Sequence, residues 1–287
     1  MTQTARRTVL SAAFLFFAVI GCSGKAPPGL QITLLGNEGF LVEAGGSTVI
    51  VDGLYSGLHG YVAPTDEQRG NRERAEPPFD EVDLVLVTHN HPDHFDARVV
   101  EGFLNANRHA VFVSTPMAVD HLRDEGDRFR SISERVVAVY PAEGESQHLE
   151  IDGLGIEVLN LHHGRDRSLP VENIGFVVEM NGASFLHIGD TLATADELAA
   201  LELSDRGIDI AFVPYWHLLD SKSAGDYLEV IDATTVVAMH LPAADAPPSY
   251  LDPAEDLDGL IRLIREVAPG VLVPTEVMEV TQIRTPE

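Results

Sequence analysis

An apolar run that ends in a dense group of metal-binding side chains constrains this chain more than any other feature. Residues 82–87 read VDLVLV and are typical of a short strand buried on both faces of a sheet. The next residues, THNHPDH at 88–94, contain four good metal ligands. This order predicts a metal site where a buried strand ends.

These four ligands fall into two pairs. Side chains alternate in an extended segment, so His89 and His91 point the same way and can bind one ion. Asp93 and His94 follow Pro92, where the chain must turn, and they point to a second position. Imidazole and carboxylate together suit zinc, manganese, iron or nickel, and two ions roughly 3.5 to 4 Å apart form a recurrent hydrolytic arrangement. A histidine-rich surface loop is the alternative.

The motif resembles the signature of the metallo-β-lactamase-fold hydrolases. Other landmarks of that family occur in the expected order. The opening strands are represented by LGNEGF at 35–40 and TVIVDG at 48–53. The segments that follow the motif are LHHG at 161–164, FLHIGDT at 185–191 and VAMHLP at 237–242. The resemblance extends from about residue 31 to the C-terminus. It implies an α/β fold, the αββα sandwich.

One branch of that superfamily is more similar than the others. The opening Leu-Gly-x-x-Gly-Phe and Met239-His240 look most like the branch that holds ascorbate-6-phosphate lactonase and the phospholipase D that cleaves N-acyl phosphatidylethanolamines. Many relatives carry histidine where this chain has Asn37, so no role is transferred to that position.

The resemblance also implies a set of ligands for two divalent ions, with zinc first and manganese, iron or nickel as alternatives. The implied ligands are His89, His91 and one of His162 and His163 for the first ion, Asp93, His94 and His240 for the second, and Asp190 as the bridge. His163 is preferred to His162 because it lies beside Gly164 at the end of a strand.

Four further residues are expected near the ligands. Asp52 follows a strand and is expected to accept a hydrogen bond from a ligand imidazole, while His187 is interpreted as a core or supporting histidine. Trp216 and His217 either face substrate or pack against a neighbouring helix. The implied chemistry is attack by a metal-activated water, with Asp93 orienting that water or handing a proton to the leaving group, and with Asp190 as the second catalytic carboxylate.

The N-terminal residues predict export. Arg6 and Arg7 precede an uncharged apolar stretch at 8–20 that is short for a membrane span, and Cys22 follows Gly21 as in a bacterial lipobox. We therefore expect a signal peptide at 1–21, a tether at 22–30 with a lipidated Cys22, and a hydrolase domain at 31–287. Either the general secretory or the twin-arginine route fits, and a buried N-terminal helix is the alternative.

Composition and charge narrow the location and the partners. Removing residues 1–21 leaves 17 of the 19 basic side chains against 45 acidic ones, a formal balance of −28 compared with −26 for the whole chain. Such a charge repels nucleic acid and anionic membrane surfaces. We expect a protein of the bacterial cell envelope, on its periplasmic or extracellular side, that touches the membrane only through its lipid.

The function expected first is hydrolysis of a small-molecule ester or lactone. The sole cysteine, Cys22, is assigned to the tether and no Gly-x-Ser-x-Gly elbow occurs, so no serine or cysteine nucleophile is indicated. A phosphodiesterase or phospholipase-type enzyme is the second expectation, and a metal-binding lipoprotein without catalysis is the third. The oligomeric state is left open.

Periodicity and turn residues predict the main elements outside the motif. They are a strand at 30–43, a hairpin about Gly45-Gly46 into a strand at 48–52, a polar loop at 55–80, helices at 96–105 and 116–125, a helix opened by Pro253, and a closing strand at 271–280.

Overall fold

The computed structural model describes residues 29–164 and 171–283. The predicted signal peptide, Cys22 and most of the predicted tether lie outside the described residues. Within the part of the chain that is described, each helix is too short or too polar to span a bilayer.

Strands and helices alternate through most of the described chain. The strands are β1 (Leu30–Gly36), β2 (Gly39–Ala44), β3 (Ser47–Val51), β4 (Leu84–Leu86), β5 (Val111–Ser114), β6 (Val136–Ala138), β7 (Ser146–Ile151), β8 (Leu154–Asn160), β9 (Ile174–Met180), β10 (Ala183–His187), β11 (Ile210–Pro214), β12 (Thr235–Met239) and β13 (Val280–Ile283). The helices are α1 (Asp66–Glu73), α2 (Ala97–Ala106), α3 (Pro116–Glu125), α4 (Ala195–Ala199), α5 (Ser221–Ile231), α6 (Pro248–Leu251) and α7 (Leu257–Val267).

These strands form two sheets of mixed direction. The first has the order β13-β1-β2-β3-β4-β5-β6 and the second the order β12-β11-β10-β9-β8-β7. Strands β3 to β6 run parallel to one another, as do β10 to β12, whereas β13 to β3 and β7 to β10 pair antiparallel.

The sheets pack face to face with helices outside them. Phe40 of β2 meets Phe212 of β11 across the interior, with ring centroids 4.3 Å apart. On the outer face of the first sheet, Val85 and Phe112 share a second apolar cluster with Phe103 of α2. Because strand side chains alternate between faces, each sheet has a face for its partner sheet and a face for helices. The predicted α/β sandwich is confirmed.

The predicted first strand at 30–43 is wrong in one informative way. The chain reverses at Asn37-Glu38, so that β1 and β2 form an antiparallel pair in which Gly36 opposes Gly39. Gly36 and Asn37 have φ angles of 118° and 42°, which glycine and asparagine adopt most readily. This turn carries Glu38 into the interior.

Three further sequence predictions differ from the structure. The loop predicted at 55–80 contains α1, whose first turn is closed by reciprocal bonds between Thr65 and Gln68. The last helix starts at Leu257 rather than Pro253, because Asp256 caps it by accepting from Gly259 N. The closing strand is β13, beside β1, and not the segment at 271–280.

The ends of the strands define the site. Asp52 follows β3 and His89 lies three residues after β4, while Asp190 and His240 follow β10 and β12. The carboxyl ends of parallel strands meet at one edge of a sheet. The loops after β3, β4, β8, β10 and β12, together with the turn before β2, therefore converge on one edge of the sandwich.

Candidate metal centre

A first group of ligand atoms lies at this edge. His89, His91, His163 and Asp190 each offer one atom, and all these atoms lie within 4.8 Å of one another. The ring centroid of His91 is 4.6 Å from that of His89 and 4.6 Å from that of His163. Side chains from three separate segments of the chain thus surround one point.

His163 and His162 point in different directions. The His163 Nε2 atom is 3.4 Å from Asp190 Oδ2, whereas the His162 Nε2 atom is 3.5 Å from Glu197 Oε1 at the start of α4. His163 therefore lies in the group, and His162 does not.

A second group lies beside the first. Glu38, His94, Asp190 and His240 also offer atoms within 4.8 Å of one another. Asp93 is close to this group, since its Oδ2 atom is 3.6 Å from His240 Nε2 and 3.8 Å from His94 Nε2.

Asp190 belongs to both groups. Its Oδ2 atom lies 3.4 Å from His163 Nε2 and 3.2 Å from His240 Nε2, and its Oδ1 atom lies 3.3 Å from His94 Nε2. Gly189 precedes it with a φ of 56°, and a Cβ there would stand 2.6 Å from Asn173 Oδ1. This crowded turn fixes where the carboxylate points.

The residues fit divalent ions. The Nε2 atoms of His89, His94 and His163 are buried and have no hydrogen-bond partner among the described residues. Imidazole nitrogens and carboxylate oxygens bind zinc at roughly 2.0 to 2.2 Å, so ligand atoms a few ångströms apart can share one ion. The two groups together are able to bind metal.

A buried carboxylate sets the tautomer of His94. Asp52 accepts from Thr88 N at 2.8 Å and from the Thr88 hydroxyl at 2.7 Å, and it lies 3.0 Å from His94 Nδ1. Since a carboxylate only accepts, Nδ1 of His94 must donate. The Nε2 atom of His94 then faces Asp190, 3.3 Å from its Oδ1 atom.

Thr88 sets His89 in the same way. Its hydroxyl proton goes to Asp52, so its oxygen must accept from His89 Nδ1, which is 3.0 Å away. The bare Nε2 atom of His89 then faces the first group. Asp52 thus holds two candidate ligands, His94 directly and His89 through Thr88.

Electrostatics in the site are dominated by burial and by neighbouring charges. Burial holds the pKa of His89 well below its ordinary value, with His94 adding to the effect. Burial alone would lower the pKa of His94, but the carboxylates of Asp190, Glu38 and Asp52 raise it well above the ordinary value. For Asp190 the directions are reversed: burial alone would raise its pKa, but His240, His94 and His163 hold it well below its usual range. The carboxylate that joins the groups is therefore ionised.

His187 and His217 lie near the site but outside the group of His89, His91, His163 and Asp190. His187 accepts from Gly189 N at 3.3 Å and donates from Nε2 to the Glu38 carbonyl at 3.0 Å, so both its nitrogens are paired. His217 stacks on Tyr227 at 4.1 Å and donates to the Thr191 carbonyl at 2.9 Å. Both support the backbone beside candidate ligands.

Aromatic rings border the second group. The Trp216 ring lies 4.9 Å from the His240 ring, and the Tyr61 ring lies edge-on to His240 at 4.5 Å. Tyr250 stacks on Tyr61 at 5.3 Å, and all three aromatic side chains are partly exposed. We call Tyr61, Trp216 and Tyr250 the aromatic wall.

Sequence reasoning singled out Trp216 but missed Glu38, Asn37 and the two tyrosines of the aromatic wall. Asn37 donates from Nδ2 to Asp93 Oδ2 at 3.3 Å, and Glu38 is fully buried beside His94. The signal for Glu38 was an acidic residue inside the otherwise uncharged opening segment LLGNEGF. Tyr61 and Tyr250 carried no such signal, because they come from irregular segments far apart in the chain.

Comparison with known proteins identifies the family. A family model described as "Beta-lactamase superfamily domain" matches residues 48–275. A UPF0173 metal-dependent hydrolase from Pyrococcus abyssi is 28% identical, over 79% of this chain and 90% of that protein. Another from Pelotomaculum thermopropionicum is 26% identical, over 87% of this chain and 100% of that protein.

Solved structures show the same fold. Igni18, a metallo hydrolase from Ignicoccus hospitalis, superposes with a TM-score of 0.61 at 21% identity, covering 90% of this chain and 100% of that one. The metallo-β-lactamase fold protein YhfI from Bacillus subtilis gives 0.59 at 14% identity, covering 89% and 99%. The chain has the metallo-β-lactamase fold and belongs to the family of beta-lactamase superfamily domains.

Proposed function

We propose that this metal-dependent hydrolase acts on carboxylic ester or lactone bonds. The observation that carries the proposal is the Asp190 carboxylate, which lies between two groups of histidines at an edge lined by partly exposed aromatic rings. Relatives that cover most of the chain are named metal-dependent hydrolases.

The proposed centre holds two divalent ions. The ligands are His89, His91 and His163 for the first ion, Asp93, His94 and His240 for the second, and Asp190 between them. Zinc is the first choice, with manganese, iron and nickel compatible with the same donors. Bound divalent ions supply a nucleophile by lowering the pKa of a water, and they offset charge on the substrate oxygen.

The side chains around the ions have separate tasks. Asp52 and Thr88 hold His94 and His89 in the tautomers that leave Nε2 free to bind. Asn37 holds Asp93, whose Oδ2 atom also lies near His240. A carboxylate placed in this way can orient the attacking water or hand a proton to the leaving oxygen.

Net charge and the aromatic wall favour a neutral, apolar substrate. The chain carries a formal charge of −26, which disfavours anionic substrates such as phosphodiesters. The aromatic wall beside His240 offers apolar surface for an acyl chain or an aromatic leaving group. The branch that the chain resembles contains both a lactonase and a phospholipase D. Phosphodiester hydrolysis is therefore the alternative activity against which the proposal is tested.

A substrate panel tests the proposed function directly. Metal-reconstituted protein is assayed with p-nitrophenyl butyrate, an aliphatic lactone and bis(p-nitrophenyl) phosphate, beside His91→Ala and the control His121→Ala. His121 lies on α3 near Glu125 and the ring of Phe95, and it belongs to neither group of ligand atoms. We expect ester or lactone turnover that His91→Ala abolishes and His121→Ala retains. Faster phosphodiester turnover would replace the proposal, and metal binding without any turnover would indicate a non-catalytic metal-binding protein.

Trp216→Ala tests the aromatic wall. Loss of apolar contact should raise KM for p-nitrophenyl butyrate by about tenfold and leave the bound metal unchanged. An unchanged KM for esters of every acyl length would remove the wall from substrate binding.

The proposal includes location outside the cytoplasm. Arg6, Arg7 and the apolar stretch at 8–20 support export, and Cys22 supports a lipid anchor on the periplasmic or extracellular side.

A further inference from the structure

Glu38 is a buried acid that the proposed set of ligands does not use. It occupies the turn between β1 and β2, its side chain is fully buried, and neither carboxyl oxygen has a hydrogen-bond partner among the described residues. Burying an unpaired carboxylate costs several kcal/mol in general. A side chain in this position therefore requires a compensating partner.

The nearest imidazole does not supply that partner. His94 Nδ1 lies 3.5 Å from Glu38 Oε2 but only 3.0 Å from Asp52 Oδ2, and its single proton goes to the closer carboxylate. His187 donates to the carbonyl oxygen of Glu38 and so fixes its backbone, not its carboxyl group. The Glu38 carboxyl group is left facing Asp190.

Two neighbouring carboxyl groups need a shared positive species. Glu38 and Asp190 offer oxygen atoms within 4.8 Å of each other. Like charges at this separation repel strongly in the interior unless a proton or a cation lies between them. A bound cation predicts that Glu38 takes part in metal binding, whereas a shared proton predicts that it does not.

The distances suit a cation. The ligand atoms of Glu38, His94, Asp190 and His240 lie within 4.8 Å of one another. With bonds of roughly 2.1 to 2.2 Å, two atoms on opposite sides of one ion are about 4.2 to 4.4 Å apart. A small inward movement of these side chains therefore completes one coordination sphere.

We propose that Glu38 is a ligand of the second ion. This inference rests on the proposed metal centre and adds to it a carboxylate that the resemblance does not imply. The ligands of the second ion would then be Glu38, Asp93, His94, Asp190 and His240. This set has more oxygen ligands than that of the first ion, which consists of three imidazoles and Asp190. Hard ions such as manganese prefer oxygen ligands, so the second position takes up manganese more readily than the first.

Metal titration of Glu38→Gln tests the inference. The full-length chain is solubilised in detergent, stripped of metal and titrated with Mn²⁺ and with Zn²⁺ in a calorimeter. We expect the Kd of the second equivalent to rise by more than about 100-fold with the first equivalent retained, because losing an outer partner of a ligand costs only about 10- to 100-fold. Glu101→Gln serves as the control, since Glu101 is also buried but lies on α2, where it accepts from Arg128 N. That control should bind both equivalents normally.

Other outcomes separate the possible failures. A smaller rise for Glu38→Gln, or an equal loss of both equivalents, would overturn the assignment and leave Glu38 as a protonated partner of Asp190. If circular dichroism shows that Glu38→Gln does not fold, Glu38→Asp replaces it, because aspartate keeps the negative charge on a shorter side chain. This variant should weaken binding of the second metal equivalent only. Unchanged metal binding by Glu38→Asp would also overturn the assignment. A wild-type chain that takes up no metal would instead refute the proposed centre.

Discussion

Replacing Asp190 with asparagine should disable both metal positions at once. The substitution keeps the shape of the side chain but removes its negative charge. In the structure this one carboxylate lies within 3.4 Å of the Nε2 atom of His163 in the first group and of the Nε2 atoms of His94 and His240 in the second. Any ion bound in either group therefore has Asp190 as a neighbour.

The magnitude follows from counting the ions that lose a ligand. Losing an outer partner of a ligand already lowers metal affinity by about 10- to 100-fold. If each of two ions loses at least the larger of these factors, the joint affinity falls by about 10⁴, which is about 5.5 kcal/mol. A direct ligand should exceed this bound, so we expect kcat to fall by several orders of magnitude at fixed metal concentration.

The assay compares metal content and turnover in matched variants. Asp190→Asn and Asp196→Asn are purified together, dialysed against the same metal buffer and analysed by elemental analysis and by hydrolysis of the best substrate. Asp196 is an exposed residue in the first turn of α4, so its variant should match the wild type. If circular dichroism shows both variants folded and both turn over equally, Asp190 is not the bridge and the two-metal centre must be abandoned.

Three more predictions address the frame of the site and the tether. Glu157→Gln breaks the paired 2.9 Å bonds to Arg206 that lower the pKa of Glu157. The variant should lose about 2 kcal/mol of unfolding free energy at neutral pH. Denaturation repeated at lower pH should show this difference shrink as the pH falls through the lowered pKa. Gly189→Ala forces a Cβ toward Asn173 at a φ of 56° and should lower both Tm and metal content, whereas a wild-type Tm would refute the strain. Cys22→Ser should accumulate as unprocessed precursor, and native protein that stays out of the detergent phase would contradict lipidation.

Local patterns predicted the part of the fold that local chemistry determines. The helix α3 runs from Pro116 to Glu125 as predicted, because Thr115 caps its start and proline suits its first turn. The turn at Gly45-Gly46 between β2 and β3 was also predicted, since glycine adopts positive φ at little cost. The short edge strand β13 was not, because its four residues, VTQI, do not alternate between apolar and polar types.

Only part of the group around His89 was predictable from local sequence. His89 and His91 share a face because they alternate in an extended segment, and this rule is local. Bringing His163 and Asp190 beside them depends on β8 and β10 ending at the same edge, which only the resemblance to a known fold supplied. The choice of His163 over His162 rested on its place at the end of the strand, and the structure has it facing Asp190.

Glu38 shows why the second group could not be completed from sequence. As part of one long strand its side chain would have pointed to one face of a sheet, with no reason to meet residues some 50 to 200 positions away. The reversal at Gly36 and Asn37 removes it from that strand and turns it into the interior. A burial cost of several kcal/mol then makes the position informative, because an acid is stable there only if something positive shares its space. The proposed centre offers such a species, and metal binding by Glu38→Gln decides whether it is an ion or a proton.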